Sequence, residues 1–141
     1  MTTPLLCLLA FALWTLSVVS IGIGYPRVSM VLKGQARPNA FPADQPHGDE
    51  RYRRTMRAHA NCVENLPVFG AVVLTAAVAG VDDVFMDRLA MVYLIARLGQ
   101  TVTHIASGRS RAVNVRFSFF VTQITCAIAM GVHVVQNAAP R

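Results

Sequence analysis

The strongest constraint on this chain is a run of twenty residues, Leu5 to Gly24, without a charged side chain. A helix of that length crosses roughly 30 Å of hydrocarbon. A cleaved secretory signal is the competing reading, but signals carry a positive amino-terminal region and an apolar core of roughly 7–15 residues. No Lys or Arg precedes Arg27, so a retained span is expected. Three more apolar runs follow. Leu66 to Val81 is extended backward by a mixed stretch, Val84 to Ile105 is interrupted by Asp87, Arg88 and Arg97, and Phe117 to Val135 is uncharged. The fold class expected is an all-α membrane protein, a four-transmembrane-helix bundle of up-down topology. Its spans are placed at residues 5–25, 53–80, 84–107 and 115–136, with a loop at 26–50, in one domain over 1–141.

Composition supports the membrane class. The chain is 54% hydrophobic and 14% charged, against about 25% charged residues in soluble domains. A net charge of +6 would raise nucleic acid as a partner in a soluble protein. Here the basic residues sort by side instead. Arg27, Lys33, Arg37, Arg51, Arg53, Arg54 and Arg57 belong to the first connection and the helix entry after it, and Arg109, Arg111 and Arg116 to the third. Together they are ten of the thirteen Lys and Arg. The positive-inside rule puts both connections in the cytoplasm and both termini outside. The charge then needs no nucleic acid, and the RYRR run suits anionic lipid headgroups.

Polar residues inside the spans are the informative ones. On the second helix Arg54, Arg57, Asn61, Glu64 and Asn65 fall within an arc of about 100°, one helix face, while His59 lies well off it. On the third helix Tyr93, Arg97, Gln100, Thr101 and His104 again share a face. A charge in mid-span costs at least about 2.5–3.5 kcal/mol on insertion scales, so such residues face protein or a water-filled cavity. Two readings stay open. One is a structural network, with Glu64 paired to Arg57 or Arg97 and Asn61 and Gln100 bonding between helices. The other is a functional polar pocket.

Other chemistries fit poorly. His59 and Glu64 lie on different faces, which disfavours a joint metal site, and no metal is expected. There is no HExxH, CxxC, GxSxG or glycine-rich phosphate loop. Cys7, Cys62 and Cys126 are few, odd in number and far apart, so they read as small buried hydrophobes. His133 reads as an interfacial side chain, and Pro67 is tolerable where neighbouring helices can satisfy the freed carbonyl.

The stretch RAHANCVENLPVF resembles the second helix of the MAPEG family, membrane-associated proteins in eicosanoid and glutathione metabolism. Arg57, Ala58, His59, Asn61, Glu64, Asn65, Pro67 and Phe69 carry the pattern. The preceding FPADQPHGDERYRR is similar to the first-loop region of bacterial members, which implies an inner-membrane protein. The resemblance implies homotrimers that bind glutathione as co-substrate between protomers near the cytoplasmic face, and a small hydrophobic electrophile or hydroperoxide arriving from the lipid. Carried over by position, Arg54, Arg57, Asn61 and Glu64 bind glutathione, with Arg97, Gln100 and His104 around it. His104 stands where many active members have tyrosine. Arg116 is the candidate to stabilise the thiolate, with Arg111 as the alternative. The rival reading is a non-catalytic membrane protein of the same fold.

Overall fold

The computed structural model describes residues 1–42 and 47–138. It contains five α-helices: α1 (Thr3–Val19), α2 (Tyr25–Leu32), α3 (Glu50–Ala79), α4 (Val84–Ala106) and α5 (Ser110–Asn137). A π-helical turn, Ser20–Gly24, joins α1 to α2, so the two run on as one rod, Thr3–Leu32. That rod and the other three helices are each long and apolar enough to cross a membrane.

The first loop therefore begins at Lys33, later than the expected residue 26. Pro26 does not stop the helix because it sits in the first turn of α2, where its missing N–H costs little. The wider turn before it re-registers the hydrogen bonds, with Tyr25 N–H reaching back five residues to the Ser20 carbonyl. α3 also starts earlier than expected, at Glu50. Asp49 caps it by accepting the Tyr52 N–H at 2.7 Å. Its far end closes on Gly80, whose φ of 71° is open to glycine, with Val81 N–H bonding the Ala76 carbonyl at 3.0 Å. α3 runs unbroken through Pro67.

The α3–α4 pair forms the middle of the bundle. α1 packs against both, and α5 packs against both, without close backbone approach between α1 and α5 among the described residues. The core is aromatic. Phe69 and Tyr93 stack at 4.0 Å between ring centroids and 6° between planes, and Phe11 tilts against both. Met86, Val73 and Met130 fill in around them. Cys7, Cys62 and Cys126 are free and buried, as expected. The outer surface carries Leu6, Leu9, Leu13, Leu16, Leu74, Val78, Ile95 and Ile128 exposed. This is the apolar coat that a bilayer requires and water penalises.

Close backbone approach fixes where α3 meets the first rod. A Cβ built on Gly22 would stand 2.5 Å from the Thr55 Cγ2 methyl, and Thr55 is buried with its hydroxyl donating to the Arg51 carbonyl. Gly22→Ala should lower stability by about 1–3 kcal/mol through overpacking. Adding Thr55→Ser, which removes that methyl and keeps the hydroxyl, should recover most of it. Thermal unfolding in detergent checks both, and an unrescued double variant would point to a cause other than this contact.

At the opposite end from the long loop, Asp83 does two things. It caps α4 through the Met86 N–H at 3.0 Å, and its other oxygen meets His133 Nε2 of α5 at 2.6 Å. His133 is thus a tie between helices, beyond the interfacial role expected of it. The His133 bond, followed by the Met86 N–H, holds the Asp83 carboxyl below its ordinary range. The unfolded carboxylate takes a proton at higher pH than the folded one, so this contribution is present above the unfolded value and fades as pH falls through the folded one. Acid titration of the melting temperature should show that limb, and Asp83→Asn should flatten it.

Candidate functional site

The two polar faces meet, but they do not pair as charge on charge. Arg97 is fully buried in α4. Its Nη1 donates to Asn61 Oδ1 of α3 at 2.6 Å, and the Phe11 ring lies 5.3 Å from its guanidinium carbon. Nε and Nη2 have no hydrogen bond of good geometry among the described residues. Around it runs a buried polar seam. Gln100 accepts from Gln123 of α5 at 3.0 Å and donates to the Arg116 carbonyl at 3.2 Å, and Thr101 donates to the Arg97 carbonyl. Gln123 was not anticipated from sequence. The available signal was that it is the one amide in the uncharged run Phe117 to Val135.

The expected Glu64 pairing is absent. Among the described residues the Arg–carboxylate pair is Arg54–Glu50, and His133 meets Asp83 as a hydrogen-bonded pair. Glu64 and Arg57 are exposed, while Asn65 bonds back to the Asn61 carbonyl of its own helix at 2.8 Å. The reason is the width of the stripe. Its arc spans more surface than α4 alone covers, so Asn61 turns toward Arg97 and Glu64 falls on the outside of the bundle.

A cavity of about 770 Å³ opens at the end of the bundle where α3 begins, α4 ends and α5 begins. Four of the eight residues placed in the site from sequence line it: Arg54, Arg57, His104 and Arg116. Arg54 is held there by its Nε–H to the Ile105 carbonyl at 3.0 Å and by Glu50 at 3.2 Å. Arg53 and Arg109, which sequence reading did not assign to a site, line it too, while Arg111 is exposed and does not. Asn61, Arg97 and Gln100 lie in the seam, outside the cavity lining. His59 is half-buried and lines no part of the cavity either. Among the described residues no cluster of His, Cys, Asp or Glu is arranged to hold a metal.

Four long apolar helices around a polar seam, with an arginine-lined cavity at one end, define a multi-pass membrane protein. The chain belongs to the MAPEG family, whose model matches residues 4–136. No curated protein matches it.

Proposed function

We propose that the protein is a glutathione-dependent transferase or peroxidase of the membrane. The observation that carries this reading is the convergence of Arg54, Arg57, His104 and Arg116 on one cavity. The guanidiniums suit glutathione's carboxylates, because they stay charged and grip oxyanions bidentately. Arg116, half-buried at the cavity wall, is the proposed thiolate partner, since adjacent positive charge lowers a thiol's pKa from about 8.5. In transfer, the thiolate sulfur forms a bond to the electrophilic carbon as the leaving group departs. In hydroperoxide reduction, two glutathiones yield one disulfide while the peroxide becomes an alcohol and water.

Asn61, Arg97 and Gln100 then act from behind the site, holding α3, α4 and α5 in register. Glu64 has a different part. An ionisable group exposed within a span is costly to leave against lipid and argues for burial against a second copy of the chain. In the proposed homotrimer, Glu64 meets the ligand's amino group across the protomer boundary. The basic end faces the cytoplasm of a bacterial inner membrane, where glutathione is available, and the electrophile arrives laterally from lipid.

Glutathione titration of the detergent-purified protein tests this reading. The expected result is a saturable rise in melting temperature, since a ligand specific to the folded state must raise apparent stability, together with a thiolate absorbance band. No response at millimolar glutathione would sink it.

A further inference from the structure

We propose that the arginine cavity also takes a phosphate group, carried by an anionic phospholipid headgroup or by a soluble phosphorylated molecule. The inference rests on reading that cavity as a ligand site. Arg53, Arg54, Arg57, Arg109 and Arg116 line it, and Glu50 is the one acid beside them. Glu50 is already engaged by Arg54. The other four guanidiniums have no carboxylate partner among the described residues.

Glutathione alone leaves part of this surplus unmatched. It brings two carboxylates to four unpaired guanidiniums, and its ammonium is assigned to Glu64, outside the cavity lining. A phosphate or pyrophosphate group brings several negative oxygens and no cation, and guanidiniums bind such oxygens bidentately.

A second observation points the same way. Gly108, Arg109 and Val113 place the amino end of α5 at the cavity wall, where Ser107 Oγ accepts the Arg109 N–H at 3.2 Å and the Arg109 side chain makes no capping bond to the first turn. The N–H groups of a first helical turn and the positive end of the helix dipole both favour a bound phosphate. The cavity lies where three spans end, which is the level of lipid headgroups, and it is also open to solutes in the adjoining water.

The test uses full-length protein in neutral detergent, with inorganic pyrophosphate titrated at constant ionic strength set by sodium chloride. A saturable rise in melting temperature beyond the chloride control is expected, and pyrophosphate should compete with glutathione. The double variant Arg53→Gln/Arg109→Gln should raise the pyrophosphate Kd at least roughly tenfold. If that variant does not fold, Arg109→Gln alone, at the exposed start of α5, carries the comparison. No rise beyond chloride, or an undiminished response in the variant, would overturn the proposal.

Vesicles separate the two sources. If phosphatidylglycerol in phosphatidylcholine vesicles stabilises the protein and abolishes the pyrophosphate response, the lipid headgroup is the occupant. If the pyrophosphate response survives phosphatidylglycerol, a soluble phosphorylated molecule is. A glutathione response without a pyrophosphate response overturns the phosphate proposal alone, and the reverse overturns the glutathione reading alone.

Discussion

Asn61→Leu is expected to lower the stability of the bundle by about 1.5–3 kcal/mol, the range for a hydrogen bond to a charged group. Arg97 has no exposed surface, and Asn61 Oδ1 accepts its one well-formed side-chain hydrogen bond among the described residues, at 2.6 Å. Leucine has the same branched skeleton as asparagine without its polar atoms, so the substitution removes the hydrogen bond while keeping the side-chain shape. The guanidinium would be left with the face of Phe11 and the neighbourhood of Tyr93. A buried charge cannot recover what it gives up on leaving water without such partners. Arg97→Met removes the charge itself, and buried charged groups are often replaceable by apolar ones at little cost. The double variant Asn61→Leu/Arg97→Met should therefore be more stable than Asn61→Leu alone, with a coupling energy in the range of about 0.5–3 kcal/mol. Thermal or denaturant unfolding of the four proteins in one detergent measures the cycle. Strict additivity would show that Asn61 and Arg97 do not act as a unit.

Arg116→Ala is expected to strip the proposed site of its chemistry while sparing the fold. The Arg116 backbone carbonyl accepts the Gln100 amide, and alanine keeps that bond. Its side chain contributes to the cavity wall. Without the guanidinium, the bound thiol should return toward its free pKa of about 8.5. A shift of one unit means about a tenfold loss of thiolate near neutral pH and a similar loss in kcat/KM. The thiolate band should weaken, its pH midpoint should rise, and the melting temperature without ligand should hold. Arg111→Ala is the matched control, because Arg111 is exposed and outside the cavity. If Arg111→Ala moves the thiolate midpoint and Arg116→Ala leaves it in place, the assignment between the two is reversed.

Much of the architecture was legible because hydrocarbon imposes a simple rule. A long uncharged run must close its own backbone hydrogen bonds, and helices do so locally. The four spans and the polar face of α4 follow from length and period. Tyr93, Arg97, Gln100 and Thr101 are buried together as that period requires. Boundaries were less legible. Pro26 marks a stop in sequence, but a π-helical turn upstream absorbs it and α2 continues to Leu32.

The candidate site was legible in half. Arg54, Arg57, His104 and Arg116, which the family resemblance grouped, line one cavity, whereas Asn61, Arg97 and Gln100 form a seam behind them and Glu64 faces outward. Helical periodicity specifies which residues share a face. It does not specify how much of that face the next helix covers.

The class of protein, the number of spans and the two polar faces follow from the order of the residues, because each depends on residues near one another along the chain. Helix packing is what makes Arg97 bond Asn61 rather than Glu64, brings Gln123 into the seam, ties Asp83 at the start of α4 to His133, and sets Arg53 and Arg109 in the cavity lining. Each of those contacts joins residues on different helices, well separated along the chain, and it is set by the rotation and axial offset at which packed side chains lock the helices together.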